Sequence, residues 1–483
     1  MNDKVTIRRL ATGVPGLDDL LGGGLPEFSF NLLAGTPGSG KTTLAHQIMF
    51  SLANPDRKAL FFTVLGESPL KMLRYQQQFP FFDIKKINDS IKFVNLSADL
   101  LDGNFDRVLA RIAEEVQMFS PSLVFVDSFR SVAQSAKIPN AGAFGLPHFV
   151  QQLGVQMASW QATTFLIGEY LAPEAESSPV FTVADGIVWM SQLVHRDAMV
   201  RKIQVVKMRG QAQSAGVHTF RINNNGVEVF PRAIIQSSMT GNIRISGDKR
   251  LSMGVPLLDD MMGGGLPAGY SLLVVGPSGS GKSVLATKFL AEGVRAGEPG
   301  VIASFEKSPN QLLSLQLDKL VKSGSVGVID TRTLDLSIDE ILHDLVEMIN
   351  KMKAKRVVID SLSGFELALA SVFREDFREA LYRMVAVLTG MGVTVLMTAE
   401  LEDQYTFLRF SSYGNAFLAD AILMQRYVEI SGQFRRVISV VKIRASAHSK
   451  DIRFFDISDD SIAIGEPLTH YEGILSGRLT SKL

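Results

Sequence analysis

The sequence predicts an α/β protein built twice over: two tandem domains, each a mostly parallel twisted sheet flanked by helices. Three observations predict it. The pattern G-x-x-x-x-G-K-[ST] occurs twice, as Gly35-Thr36-Pro37-Gly38-Ser39-Gly40-Lys41-Thr42 and as Gly276-Pro277-Ser278-Gly279-Ser280-Gly281-Lys282-Ser283. Shifting the chain by 241 residues aligns its halves without a gap from Arg9 to Ala45, so that Gly22-Gly23-Gly24-Leu25-Pro26 meets Gly263-Gly264-Gly265-Leu266-Pro267. In both halves short apolar runs alternate with helix-like stretches, the pattern of parallel strands joined by crossover helices. The domains are expected at 1–240 and 241–483, with the boundary in the polar stretch Thr240-Gly241-Asn242.

Each glycine-rich segment follows an expected strand, Asn31–Ala34 or Leu272–Val275, and precedes an expected helix, Thr43–Ser51 or Val284–Glu292. That context makes the pattern a phosphate-binding loop. Glycine lets several N–H groups point at one anion, and the helix that follows adds its positive dipole end. Lys41 and Lys282 reach the β- and γ-phosphates, and the hydroxyls of Thr42 and Ser283 ligate Mg²⁺. Thr43 and Val284 complete the binding set, and ATP and Mg²⁺ are the expected cofactors.

The next strands are Ala59–Leu65, ending in Gly66-Glu67-Ser68-Pro69, and Gly300–Phe305, ending in Glu306-Lys307-Ser308-Pro309. Serine caps and proline opens the helix that follows. Leu123–Val126 and Val357–Ile359 each end in an aspartate, Asp127 and Asp360. A buried strand ending in an acid beside the phosphates holds the hydration shell of Mg²⁺ through water. Two further strands end in Glu169 and Glu400, either sensors of the γ-phosphate or solvated strand ends. Each half closes on a basic cluster, Lys207-Met208-Arg209 and Lys442-Ile443-Arg444. On a strand the two cations of each cluster share a face. They suit a neighbouring copy's nucleotide, or a charge-blunted edge strand.

A content of 46% hydrophobic and 20% charged residues is that of a well-cored chain. Lys plus Arg equals Asp plus Glu at 49 each, so no basic surplus announces nucleic acid, and none is expected as a partner. The loop stretches agree: 134–152 carries one lysine, and 401–417 one arginine against two acids. With no cysteine, disulfides and thiolate metal sites are excluded. No apolar run approaches the ~20 residues of a membrane span, and the first residues lack a signal-peptide core, so a cytoplasmic protein is expected.

The paired entry segments, both phosphate loops, both strand ends with Ser-Pro, both Lys-x-Arg clusters and the final Tyr471-Glu472-Gly473-Ile474-Leu475-Ser476-Gly477 together resemble the KaiC-like family, two-lobed RecA-like ATPases of the cyanobacterial clock. The resemblance covers the whole chain. It implies a homo-hexamer of two stacked rings with ATP between subunits, and a KaiB-like protein as partner. Each nucleotide would take its phosphate loop from one subunit. Lys207, Met208 and Arg209, or Lys442, Ile443, Arg444 and His448, would come from the next. Where the family has two adjacent glutamates, each half here keeps one, Glu67 in the second place and Glu306 in the first. These two acids and the two loop lysines are the catalytic candidates, with Glu306 inheriting the base role most directly. Ala416-Phe417 stand where the family's clock members carry a phosphorylated Ser-Thr pair, with Ser411 and Ser412 nearby. The chain ends at Leu483, soon after the Ser-Gly match, so the family's long regulatory tail is not expected. The expectation is a slow ATP hydrolase acting as an oligomeric switch. A serine/threonine autokinase with a different acceptor, a RecA-like DNA-binding ATPase and a nucleotide-held scaffold are the alternatives.

Overall fold

The computed structural model describes every residue except 1–6, 65–68, 101–103, 136–144, 172–177, 196–197, 233–248, 306–314, 331–336, 370, 375, 402–417, 431, 459–460, 470, 473–479 and 482–483. The chain divides into two compact units, residues 1–232 and 233–483. The expected boundary at 240 lies outside the described residues.

The first unit opens with a short antiparallel pair, β1 (Arg9–Leu10) and β2 (Leu25–Pro26). Nine strands then form one sheet: β3 (Phe30–Gly35), β4 (Ala59–Thr63), β5 (Ile91–Asn95), β6 (Leu123–Asp127), β7 (Thr163–Glu169), β8 (Gly186–His195), β9 (Ala198–Met208), β10 (His218–Asn223) and β11 (Gly226–Phe230). Their order is β5-β4-β6-β7-β3-β8-β9-β10-β11. The strands from β5 to β8 run parallel. They read as continuous apolar runs because helices cover both faces, as in Ala59-Leu60-Phe61-Phe62, where all four side chains are buried. The last three strands add an antiparallel meander. The turn at Asn223–Gly226 closes its final hairpin with asparagines and glycine, the residues that tolerate a tight reversal.

The helix Phe105–Phe119 shows the amphipathic rule well. Phe105, Val108, Leu109, Ile112 and Val116 are buried at helical spacing, and the Asn104 side chain accepts from the N–H groups of Asp106 and Arg107. On the other face the helix Lys41–Leu52 lays Leu44 and Ile48 on the sheet. It also buries His46, whose ring lies 4.7 Å from that of Phe61 and 6.3 Å from that of Phe93. Burial pushes the His46 imidazole down to about 3 from an ordinary 6.5. The neutral ring therefore contributes stability that is complete above pH 6.5 and is lost as the pH falls toward about 3. Between about pH 7 and pH 5 the loss is about 2 kcal/mol. Urea melts at the two pH values should show it in the first unit, and His46→Leu should remove that part of the pH dependence.

The second unit repeats the plan. After β12 (Arg250–Leu251) and β13 (Leu266–Pro267) come β14 (Ser271–Gly276), β15 (Gly300–Ser304), β16 (Val326–Asp330), β17 (Arg356–Asp360), β18 (Thr394–Glu400), β19 (Ala421–Ile430), β20 (Gln433–Ile443), β21 (Ile452–Ser458) and β22 (Ser461–Pro467). Their order, β16-β15-β17-β18-β14-β19-β20-β21-β22, matches the first sheet strand for strand. A capping box of Ser337 and Glu340 starts the helix Ile338–Met352. A short pair, β23 (Tyr471–Glu472) and β24 (Thr480–Ser481), follows. No described helix is long and apolar enough to cross a membrane.

Candidate nucleotide sites

Both phosphate loops leave the central strand of their sheet and run into a helix. The helices start at Lys41 and Lys282, two residues before the expected starts, because Gly40 and Gly281 turn the chain through left-handed conformations at φ 98° and 103°. Only glycine fits there. A Cβ on Gly40 would lie 2.5 Å from Ile222 Cδ1, and one on Gly281 would lie 2.2 Å from Ile457 Cδ1. The returning strands β10 and β21 therefore back each loop. Gln192 Nε2 also donates to the Pro37 carbonyl at 3.2 Å, and Ser280 Oγ to Gln425 Oε1 at 3.2 Å.

In the first unit the chemistry-bearing groups meet at a cavity of about 490 Å³, lined by Gly38, Gly40, Lys41, Thr42, Thr43, Asp127 and Glu169 among others. Thr42 Oγ1 donates to Asp127 Oδ2 at 2.7 Å, a bond that joins residues 85 apart in sequence. Lys41 is 6% exposed as a residue, and its Nζ donates to the Thr36 carbonyl at 2.7 Å. Burial lowers its ammonium below the ordinary lysine range, against the pull of Glu169 and Asp127. Gly35 ends β3 and Ser39 is buried within the loop. A cradle of loop amides, a desolvated ammonium and a hydroxyl beside a carboxylate make a donor set that fits a nucleotide triphosphate with its divalent cation.

The second unit keeps the pattern with one difference. Lys282 Nζ donates to the carbonyls of Gly276 and Pro277, each at 2.9 Å. Ser283 and Val284 follow it in the first turn of the helix, after Ser278 and Gly279 in the loop. Asp360 accepts a hydrogen bond from Thr398 Oγ1. The matching position on β7 is Ile167, paired with Asp127, so the first unit has no hydroxyl there. The Asp127–Ser128 and Asp360–Ser361 peptides are both cis.

The basic clusters sit elsewhere. Lys207 pairs with Ile187 and Met208 with Gly186, level with the start of β3 rather than its loop-bearing end. Strand β9 ends at Met208, so Arg209 lies just beyond it and not on a shared strand face. Its guanidinium meets Asp185 Oδ1 at 3.1 Å, while Lys207 Nζ donates to the Thr182 carbonyl at 3.2 Å. Likewise β20 ends at Ile443, and Arg444 meets Asp420 Oδ1 at 3.3 Å. Burial and the neighbouring arginine both lower Lys207 and Lys442, with the nearby aspartate opposing. His448 Nδ1 lies 3.3 Å from the Ser446 carbonyl. Glu67, Glu306, Ser411, Ser412, Ala416 and Phe417 lie outside the described residues.

Sequence reasoning missed Asp185 and Asp420. Each fixes the start of its central strand, by accepting from the N–H of Phe30 or Ser271, and also holds the arginine of the basic cluster. The dipeptide Ala-Asp recurs just before the strand in both halves, at 184–185 and 419–420, and was the available signal. Gln192, Ile222 and Ile457 carried no local signal, because only strand pairing brings them to the loops.

Fold and site together define a RecA-like P-loop ATPase, present in two tandem copies. The chain belongs to the KaiC ATPase family, whose model matches residues 10–234 and again 251–469. It is 29% identical over 493 residues to the circadian clock oscillator protein KaiC of Picosynechococcus sp., covering 98% of this chain and 93% of that one. It is also 29% identical over 494 residues to the circadian clock protein KaiC3 of Synechocystis sp., covering 98% and 94%. Membership implies nucleotide binding.

Proposed function

We propose that the chain is a slow, Mg²⁺-dependent ATP hydrolase that works as an oligomeric, nucleotide-driven switch. The observation that carries this reading is the bond between Thr42 and Asp127, which brings the loop hydroxyl and the strand-end acid to one point beside a buried lysine. Thr42 and Ser283 would hold the cation directly, and Asp127 and Asp360 through water. The cation neutralises charge on the phosphate oxygens. Lys41 and Lys282 bind the β- and γ-phosphates, and Glu67 and Glu306 orient the attacking water. With one such acid per unit in place of an adjacent pair, turnover is slow.

In a homo-hexamer, the Lys-x-Arg segments of one copy would face the nucleotide held by the next copy. Their distance from their own loop favours this: the four residues from Asn31 to Gly35 span about 13 Å of strand. The domain division at 1–240 and 241–483, a cytoplasmic setting, a clock role and a KaiB-like partner belong to the same reading, by kinship with the relatives named above.

Incubation with γ-labelled ATP and Mg²⁺, followed by separation of free phosphate from protein-bound label, tests it. The expected result is free phosphate only, released on the order of 10⁻³ per second or slower per site. Label that stays on the protein and vanishes in Glu306→Gln would replace this reading with the autokinase. A rate like that of fast motor ATPases would overturn the assignment as a switch.

A further inference from the structure

The first unit has a second cavity, of about 660 Å³, at the other end of the sheet from the phosphate loop. Leu123 and Thr163, the first residues of β6 and β7, form its floor. Arg8, Arg57, Phe28 and Trp160 line its walls.

The second unit supplies an internal control. Strand registers make Leu123 equivalent to Arg356 and Thr163 equivalent to Thr394. The shift of 241 makes Arg8 equivalent to Lys249, Phe28 to Gly269 and Arg57 to Glu298. In the second unit these positions form a closed ion network: Glu298 meets Lys249 at 3.1 Å and Arg356 at 3.0 Å. In the first unit the central anion has become a cation, Arg57, and the buried arginine has become Leu123. Glu27 meets Arg8 at 3.9 Å. Among the described residues the Arg57 guanidinium makes no ion pair. The remaining acid of the lining, Asp56, is exposed.

The rim carries the second observation. Phe28 adopts φ 63°, a left-handed conformation that strains a bulky side chain, and the residue is 42% exposed. The second unit places Gly269, at φ 81°, in the same turn. Both residues donate their N–H to the equivalent threonine, Thr163 or Thr394. Gln161, at φ 54°, likewise stands where the second unit has Gly392, at φ 76°. Two side chains thus occupy backbone positions suited to glycine, and both face this cavity.

We propose that the cavity is a binding site for a small organic anion with a flat apolar ring, an aromatic carboxylate or phosphate. Its charge takes the place that the Glu298 carboxylate holds in the second unit, against Arg57 and Arg8. Its ring stacks between Phe28 and Trp160. The assignment is independent of the ATPase reading.

The chain has two tryptophans, so Trp189→Phe leaves Trp160 as the sole emitter. The full-length variant, kept in saturating Mg-ATP, is titrated with phenyl phosphate, benzoate, inorganic phosphate and benzylammonium. The expected result is a saturable change in Trp160 emission with phenyl phosphate or benzoate, at a midpoint of about 1 mM or below. Arg57→Glu should raise that midpoint at least about tenfold. Phe28→Gly should weaken binding without lowering the thermal midpoint. A linear response to every probe up to about 10 mM overturns the proposal. So does an unchanged midpoint in Arg57→Glu, or an equal response to benzylammonium. Equal affinity for inorganic phosphate removes the ring from the assignment.

Discussion

Lys41→Ala lowers phosphate release from the first unit by about 10²–10³-fold, and Lys282→Ala does the same in the second. Lys41 and Lys282 are 6% and 8% exposed as residues, and Lys41 is the only cation lining its cavity among the described residues. In a site that excludes water, a fixed positive charge on the migrating phosphoryl group has no substitute. The singles report which unit turns over, and the double variant should show no turnover. Retention of more than about half the activity in the double variant would sink the assignment of both loops as catalytic. Lys→Arg should fail as well, because the larger guanidinium does not fit the space that the loop carbonyls leave.

Arg356→Ala destabilises the second unit by about 3–5 kcal/mol. The side chain is 2% exposed, and all three guanidinium nitrogens have a partner. It bonds Glu298 at 3.0 Å and the carbonyls of Ser252 and Phe289 at 2.8 and 2.9 Å, and it lies 4.6 Å from the Phe289 ring centre. Truncation takes the donor from the carbonyls of Ser252 and Phe289 and leaves the Glu298 carboxylate with Lys249 alone. The fold has made room for this group: a Cβ on Gly293 would lie 2.5 Å from Arg356 Cδ, and the first unit has Leu52 at that position. Urea melts that follow the second unit measure the loss. Arg356→Met should recover part of it, since apolar packing replaces a buried ion pair at modest cost. A loss below about 1 kcal/mol would show that the network is not structural.

These features differ in how visible they are in one dimension. Loops and strand ends are local, so Lys41, Thr42 and Asp127 could each be read from a few neighbours. Apolar runs such as Leu123–Val126 also report burial on two faces directly. The meander was not legible. Its strands alternate weakly, and what matters is register: Ile222 reaches Gly40 only through one parallel and two antiparallel pairings. The cavity was not legible either, because Arg57 and Trp160 approach each other through strand order alone. The end of β9 at Met208 escaped for a related reason: Asp185 draws Arg209 into a turn, and that acid belongs to the preceding strand's start.

The phosphate loop and the Lys-x-Arg segment lie at opposite ends of the same sheet. Two copies that combine them join unlike surfaces, so the contact is directional: each copy gives at one edge and receives at the other. Such a contact has no twofold axis. It repeats until it closes on itself or runs on as a fibre, and only the rotation per step decides which. In the proposed assembly every site would have two owners. A copy carrying Lys41→Ala and a copy carrying Arg209→Ala are each defective in a different half of a shared site. Mixed in one assembly, they rebuild intact sites wherever a sound loop meets a sound basic segment.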